Sequence, residues 1–254
     1  MEVLFLGTSA CDFSEKLKTD YKDCFDDNAR RSSAVLLDKR VLIDCGPHTL
    51  NALKIAGVDK NQITDLILTH LHDDHFDKEN VQRLANNREK PLRIWVRAGA
   101  DICVPEAEII KMPLYKKLKG SGFFVTGLHA NHDENARPQH LFLEIDGKKI
   151  FYGCDGGWFL NKTYEFLREN PADVAVLDCT VGDKVGDYRA FEHNSLSMLR
   201  VLLPSLKTIG FVTDKTKVYL SHLAPSLHLS HEETCLLAKD IGANVAFDGL
   251  KINL

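Results

Sequence analysis

The chain has 254 residues, of which 44% are hydrophobic and 27% charged, enough apolar material for a buried core and too much for a disordered or fibrous chain. Its 32 Lys and Arg and 36 Asp and Glu give a formal net charge of −4, without the long basic run typical of a dedicated nucleic-acid binder. The seven cysteines include no C-x-x-C pair, so we expect reduced thiols. No segment resembles a signal peptide, and none approaches the roughly 20 apolar residues that span a bilayer. We therefore expect a soluble, cytoplasmic protein.

The first half of the chain alternates short β-rich runs with helical patterns. Strands are predicted at 3–6, 34–37, 41–44, 66–69 and 93–96, and helices at 48–56, 78–86 and 106–111. The stretch 8–33 is irregular and charged, and we expect it to be a loop that covers or serves a site.

The second half shows the same alternation. Strands are predicted at 123–127, 140–145, 150–152, 174–178, 217–220, 245 and 251–253, and helices at 160–168, 195–202 and 230–239. Asp146-Gly147 predicts a hairpin turn, and Ser230 with Glu233 predicts a capping box. The pattern indicates an α/β chain of two sheets with helices outside them, an αββα sandwich, in a single domain over 1–254.

Three histidines and two aspartates follow the predicted strand 66–69, in the run His70-Leu71-His72-Asp73-Asp74-His75. A strand places residues i and i+2 on one face, so His70 and His72 are predicted to hold one metal ion as the strand ends. The turn that follows is predicted to direct Asp74 and His75 at a second ion, with Asp73 on the other side. This spacing is typical of a metal site rather than of a solvated loop.

Further ligands are expected where downstream strands end, because one hexapeptide cannot complete a metal site. Asp155 follows the strand 150–152, and His222 follows the strand 217–220. Two histidines compete for a third position after the strand 123–127, His129 and His132. These residues are expected to converge on one edge of the sandwich.

The order H-x-H-x-D-H, His, Asp, His is similar to that of the metallo-β-lactamase superfamily. The resemblance implies an αββα fold with two divalent metal ions, Zn, Mn or Fe. It assigns His70, His72 and His132 to the first ion, Asp74, His75 and His222 to the second, and Asp155 to a bridge between them. Asp44, in Asp44-Cys45-Gly46, matches an early D-x-G motif and is expected either to support a ligand or only to form a turn.

Within that superfamily the chain most resembles the cyclic ribosyl-phosphate phosphodiesterases of the carbon-phosphorus lyase pathway and the RNase Z-like phosphodiesterases. Asn131-His132 is similar to their N-H-S segment and favours His132 over His129. The chain departs from the former group at two places. Its N-terminal loop has only Cys11 and Cys24 instead of the clustered cysteines of a structural zinc site, and Pro225 stands three residues after His222, where that group has a histidine. A structural zinc site is therefore expected to be absent.

These resemblances imply a hydrolysis in which two metal ions share a hydroxide nucleophile. Asp74 and His193 are the residues we assign directly to the reaction, with His193 as general acid toward the leaving oxygen and as a substrate contact. The alternative for His193 is a local contact at a helix start. Arg30 and Arg31 are predicted to bind a substrate phosphate, the alternative being a solvated basic turn.

The predicted function is a metal-dependent phosphodiesterase of small or cyclic phosphate esters, with a phosphorylated or nucleotide-like substrate. A lactone, thioester or carboxyl-ester hydrolase and a non-catalytic metal-binding sensor are the alternatives. A tRNA substrate is disfavoured by the acidic charge, no membrane partner is expected, and a homodimer is left open. The other histidines, His48, His140, His228 and His231, are expected at the surface or the rim of the site.

Overall fold

The computed structural model describes residues 1–13 and 24–254. They form two compact units. The first unit comprises Met1–Pro113, Asn135–Arg137 and Phe247–Leu254, and the second comprises Leu114–Glu134 and Pro138–Ala246. Within the described ranges no helix is long and apolar enough to cross a membrane.

The first unit is built on one sheet whose strands come from both ends of the chain. Its strands are β1 (Glu2–Gly7), β2 (Ala34–Leu37), β3 (Val41–Ile43), β4 (Asp65–Ile67), β5 (Leu92–Arg97), β6 (Ala107–Met112) and β14 (Lys251–Asn253). They are hydrogen bonded in the order β14-β1-β2-β3-β4-β5-β6, antiparallel from β14 to β3 and parallel from β3 to β6. The parallel strands end at the same edge, where the histidine-rich turn begins.

Two helices cover this sheet, α1 (Thr49–Ile55) and α2 (Lys78–Ala85). Leu53 of α1 and Leu84 of α2 share a buried cluster with Leu66 of β4. The side chain of Asp77 caps α2 by accepting a hydrogen bond from the backbone of Asn80 at 2.8 Å. The apolar sides of both helices therefore hold the loops that follow β3 and β4 against the sheet.

The second unit contains another seven-stranded sheet. Its strands are β7 (Lys117–Lys119), β8 (Phe124–His129), β9 (Gln139–Ile145), β10 (Lys148–Gly153), β11 (Val174–Asp178), β12 (Lys217–Ser221) and β13 (Asn244–Val245). The order is β13-β12-β11-β10-β9-β8-β7, parallel from β10 to β13 and antiparallel from β7 to β10. Its helices are α3 (Asn161–Glu169), α4 (Leu196–Thr208) and α5 (His231–Asp240), and Leu199 and Leu203 of α4 pack in a cluster with Leu177 of β11.

The expected α/β class is confirmed, with two mixed sheets and flanking helices. The hairpin turn is confirmed as well, because Asp146 and Gly147 both have positive φ, 50° and 74°, and join the antiparallel strands β9 and β10. The capping box of Ser230 and Glu233 opens α5.

The helix predicted over 106–111 is wrong, since this segment is the strand β6. It pairs in parallel with the preceding strand β5, from Leu92 to Arg97, and these hydrogen bonds between strands override the local helical pattern. The helix predicted to end at Leu202 continues to Thr208, because Leu203 and Leu206 extend its buried side. In the loop expected at 8–33, residues 14–23 lie outside the described residues, and Ser9 forms a bridge with Ser32.

Candidate metal centre

The histidine-rich turn of the first unit lies beyond its strand. β4 ends at Ile67, so the strand alternation expected to align His70 and His72 does not apply. The turn itself brings their rings together, with Nε2 of His70 3.0 Å from Nδ1 of His72. Asp74 and His75 are buried in the same turn, whereas Asp73 is exposed, as expected for a bystander.

Asp44 is the buried support of this turn. Its Oδ2 lies 2.8 Å from Nδ1 of His75, and its Oδ1 accepts a hydrogen bond of 2.8 Å from the backbone of Thr69. Nε2 of His75 lies 3.4 Å from Oδ2 of Asp74. The Asp44 carboxylate therefore sets both the orientation and the tautomer of the His75 ring, as such partners do for metal-binding imidazoles.

Gly46 explains why the D-x-G segment fits against the turn. A Cβ at this position would lie 1.9 Å from the backbone oxygen of Asp74, a distance that no side chain tolerates. Asp44 itself has a positive φ of 62°. The motif therefore lets the backbone after β3 approach the backbone that carries Asp74.

In the second unit, candidate ligands stand just after the ends of two parallel strands, β10 and β12, that lie on either side of β11. Asp155 follows β10 and His222 follows β12, and both have positive φ, 54° and 57°. Nε2 of His222 lies 3.5 Å from Oδ2 of Asp155, and Nε2 of His132 lies 3.6 Å from Oδ1 of the same carboxylate. One carboxylate thus has a histidine nitrogen beside each of its oxygens.

The structure places His132, rather than His129, beside Asp155. The His132 side chain is 4% exposed, whereas that of His129 is 30% exposed and pairs with the carboxylate of Glu134. His129 is the last residue of β8, and its side chain is engaged with Glu134 instead of Asp155.

Asp178 is a member of the site that the sequence reasoning missed. This fully buried carboxylate accepts hydrogen bonds from the backbone of Asn194 at 2.7 Å and from Oγ1 of Thr180 at 2.8 Å. It lies 3.3 Å from Nδ1 of both His193 and His222. Burial opposes its charge, but the hydrogen bonds to the two histidines hold its pKa well below the usual range. It ends the predicted strand 174–178, and the criterion that finds Asp155 and His222 would find it too.

His193 belongs to this carboxylate cluster. Its Nδ1 lies 3.1 Å from Oδ1 of Asp155, 3.3 Å from Oδ2 of Asp178 and 3.2 Å from Oγ1 of Thr180. Burial disfavours the imidazolium, but the hydrogen bonds and charges of the two aspartates outweigh it and raise the pKa of His193 to about 11. The ring is therefore protonated at neutral pH.

The arginine pair is buried in the first unit. The backbone of Arg31 donates to Oδ2 of Asp248 at 2.7 Å, and its Nη2 donates to the carbonyl of Cys24 at 3.2 Å. Nη1 of Arg30 donates to Oγ1 of Thr8 at 2.7 Å. Burial raises the pKa of Asp248 to about 6, so this carboxylate is ionised opposite Arg31 at neutral pH. The pair is not a solvated turn, and its contact with substrate stays a prediction.

His140 corrects another expectation, that of a position at the surface or the rim of the site. It is completely buried on β9, edge-on to the rings of Phe151 and Phe159. Burial lowers its pKa to about 4, so the imidazole is neutral in the folded protein.

The donor chemistry within each unit fits divalent metal ions. In the second unit, ligand atoms of Asp155, Asp178, His193 and His222 all lie within 4.8 Å of one another. Oxygen partners stand 2.8 Å from Nδ1 of two candidate ligands, Asp44 Oδ2 for His75 and Thr180 Oγ1 for His222, while Nε2 of each ring faces another carboxylate. Imidazoles held through one nitrogen and directed at a carboxylate with the other have the arrangement of metal ligands.

Comparisons with known proteins agree with these observations. Residues 27–76, which include Asp44 and the histidine-rich turn, match the sequence model of the metallo-beta-lactamase superfamily. Ribonuclease Z of Mycolicibacterium gilvum (strain PYR-GCK) is 27% identical over 163 residues, which cover 62% of this chain and 49% of that protein. The match thus spans about half the length of this relative.

Solved structures share the fold over nearly the whole chain. The metallo-beta-lactamase fold protein YhfI from Bacillus subtilis has a TM-score of 0.76 at 17% identity, covering 99% of this chain and 98% of its own. A diphosphatase from the PhnP family has a TM-score of 0.74 at 19% identity, covering 100% and 97%. Human tRNase Z, short form, has a TM-score of 0.68 at 19% identity, covering 100% and 99%.

Proposed function

We propose that this chain is a metal-dependent hydrolase of small or cyclic phosphodiesters, on the premise that residues 27–76, which match the metallo-beta-lactamase superfamily, belong to a domain of that superfamily. The observation that supports this best is the position of His193 between Asp155 and Asp178, with His132 and His222 on the two oxygens of Asp155. A proton donor and a set of metal ligands share one carboxylate.

The proposed ligands follow the superfamily pattern. His70, His72 and His132 would hold one ion, Asp74, His75 and His222 the other, and Asp155 both. Imidazole and carboxylate ligands suit Zn, Mn or Fe. Divalent ions bound there would supply Lewis acidity, which makes water a nucleophile at neutral pH and polarises a phosphoryl oxygen.

His193 would deliver the proton that the leaving oxygen needs. Its Nδ1 is directed at Asp155, Asp178 and Thr180, and none of these contacts uses Nε2. The Nε2–H is therefore the proton that the ring offers to an alkoxide, and the Asp178 carboxylate stabilises the imidazolium until the transfer. General acid catalysis of this kind contributes about 10²- to 10⁴-fold to a rate.

Other reactions of the same metal chemistry are lactone, thioester and carboxyl-ester hydrolysis, because the ligands alone do not choose the bond. A second candidate substrate is RNA, which the likeness to proteins named ribonuclease Z and tRNase Z favours. A cytoplasmic location belongs to the proposal, supported by seven cysteines that are all thiols.

The test is elemental analysis and a substrate panel on one preparation of the full chain. The panel contains bis(4-nitrophenyl) phosphate, 2′,3′-cyclic nucleotides, a precursor tRNA, a lactone and a thioester. We expect about two ions per chain, as in two-metal sites, with turnover of the phosphodiesters. For His193→Ala we expect kcat to fall about 10²- to 10⁴-fold with the metal content intact.

His231→Ala, at the half-buried first residue of α5, is the matched histidine control and should behave as the wild type. Bound metal with no phosphodiester turnover, or turnover of the lactone or thioester alone, would refute the proposed function. Loss of metal in His193→Ala would make His193 a ligand.

A further inference from the structure

Large apolar side chains are exposed on the segment of the second unit that leads to His193. Val185 is 87% exposed, Tyr188 75% and Phe191 83%, and Phe191 stands two residues before His193. Trp158, three residues after Asp155, is 45% exposed. Large rings left in water so close to reactive groups are typical of a surface that is covered when a ligand binds.

The backbone that carries these rings is anchored. The carbonyl of Phe191 accepts a hydrogen bond from Nδ2 of Asn131 at 3.3 Å, and the backbone N–H of His193 donates to the carbonyl of Arg189 at 2.8 Å. Nδ2 of Asn194 donates to the carbonyl of Gly156 at 3.0 Å. The segment therefore presents its rings from a defined position.

The segment after Asp155 lies directly against the one that carries Phe191. A Cβ at Gly157 would lie 3.2 Å from the backbone nitrogen of His193 and 3.3 Å from the carbonyl oxygen of Phe191. Trp158 follows this point of contact along the chain. Trp158 and Phe191 thus project from two adjoining segments whose junction is at His193.

The same segment supplies a cation next to an aromatic ring. The guanidinium carbon of Arg189 lies 4.9 Å from the ring centroid of Tyr188, and its Nη1 lies 2.7 Å from Oδ2 of Asp187. Aromatic rings that stack on bases, interleaved with Arg, are the features by which proteins bind unpaired nucleotides.

We propose that Phe191 and Trp158 form a stacking surface for one nucleobase, so that the phosphodiester presented to His193 is that of a nucleotide. This inference rests on the proposed function and specifies its substrate class. The stacking surface selects substrates that carry a base. The metal ligands and His193 act on the phosphodiester, with or without a base attached.

The first test compares 2′,3′-cyclic AMP with glycerol 1,2-cyclic phosphate, which has the same five-membered cyclic diester and no base. We expect Phe191→Ala to raise KM for the nucleotide about 10-fold, which is the effect of removing one stacked ring, and to leave KM for the glycerol ester at its wild-type value. Phe191→Trp should retain the wild-type KM. Phe124→Ala is the control, an exposed ring about 17 Å from His129 along β8, and it should not alter either KM.

A binding measurement keeps this test independent of turnover. Trp158 is one of two tryptophans, and the other, Trp95, is buried and donates from Nε1 to Asp65 at 2.8 Å. We expect AMP to quench the fluorescence of Trp158 and ribose 5-phosphate not to do so, with the response lost in Trp158→Phe.

Equal responses to AMP and ribose 5-phosphate, or equal effects of Phe191→Ala on both esters, would overturn the stacking surface and leave the proposed function standing. Quenching by AMP with no turnover of any phosphodiester would retain the surface and refute the proposed function. A lower molecular mass of Phe191→Ala in sedimentation would identify the rings as an interface between copies of the chain and overturn the inference.

Discussion

At the residue scale, the candidate ligands are organised by oxygen atoms that do not themselves face the proposed metals. Asp44 holds Nδ1 of His75, and Thr180 holds Nδ1 of His222, each at 2.8 Å. A hydrogen bond at one ring nitrogen fixes the tautomer and makes the other nitrogen a better donor to a metal ion. Asp178 extends this role to His193, so one buried carboxylate orients both a ligand and the proposed acid.

The choice between His129 and His132 can be tested directly. His132→Ala should lower the metal content by about one ion per chain, because it removes the nitrogen next to Asp155 from a site that needs three or four protein ligands. His129→Ala should retain the wild-type content, since this ring pairs with Glu134. Elemental analysis after gel filtration distinguishes the two, and the reverse result would assign the ligand to His129.

At the scale of elements, strands β9 and β10 hold a titratable group inside the second unit. His140 of β9 is buried against Phe151 of β10 and against Phe159. A neutral imidazole is tolerated in such a place, but a charged one would be desolvated. The packing of these strands is therefore linked to pH.

His140 should make the folded protein less stable in mild acid. Its pKa is about 4 in the folded protein and returns to the ordinary histidine value of 6.5 on unfolding, so the unfolded chain binds more protons between these two values. Unfolding is therefore favoured as the pH falls through this range. From pH 7 to pH 5 this one group should lower the free energy of unfolding by about 2 kcal/mol.

Urea unfolding at both pH values, with chelator present, measures this loss. In His140→Leu, whose side chain has a similar volume and no proton site, the loss of unfolding free energy between pH 7 and pH 5 should be smaller by about 2 kcal/mol. In His231→Ala it should equal the wild-type loss. An equal pH dependence in His140→Leu would contradict the prediction.

At the scale of the whole molecule, the two ends of the chain belong to the same unit. β14 pairs with β1, and Glu2 lies opposite Asn253. Just before β14, Asp248 accepts hydrogen bonds from the backbone of Arg31 and from Oγ1 of Thr8, at 2.7 and 2.9 Å. The C-terminal segment therefore closes the first unit through a buried carboxylate.

Asp248→Ala should destabilise the protein strongly. It leaves the buried guanidinium of Arg31, 3.5 Å from Oδ2 in the wild type, without its carboxylate. Removing one member of a buried ion pair costs about 3–5 kcal/mol. Asp183→Ala, which breaks the exposed pair with Arg200, should change stability by less than about 1 kcal/mol.

Urea unfolding of the two variants gives both numbers. The paired substitution Arg31→Met with Asp248→Leu should recover part of the loss, because it removes the buried charge together with its partner while the backbone N–H of Arg31 and Oγ1 of Thr8 still lose their acceptor. Equal stability of Asp248→Ala and Asp183→Ala would show that the buried pair does not close the unit.

Most of the fold could be predicted from local pattern. Strand β11 has the bounds 174–178 that its apolar run predicts, and two residues, Asp146 and Gly147, are enough to predict their turn. The edge strand β6 has a local pattern typical of a helix, and only its pairing with β5 makes it a strand. Pairing between strands is decided by packing and not by local propensity.

The sequence by itself determined the kind of chemistry. Three histidines and two aspartates within His70–His75, followed by His and Asp residues after apolar strands, indicate metal ligands whatever the packing. Tertiary structure alone decided which groups serve those ligands. It buried Asp178 beside His193 and His222, enclosed His140 between aromatic rings and paired Arg31 with Asp248. These outcomes depend on burial and on contacts between residues far apart in the chain, because desolvation and hydrogen bonding set charge and pKa only once the chain has folded.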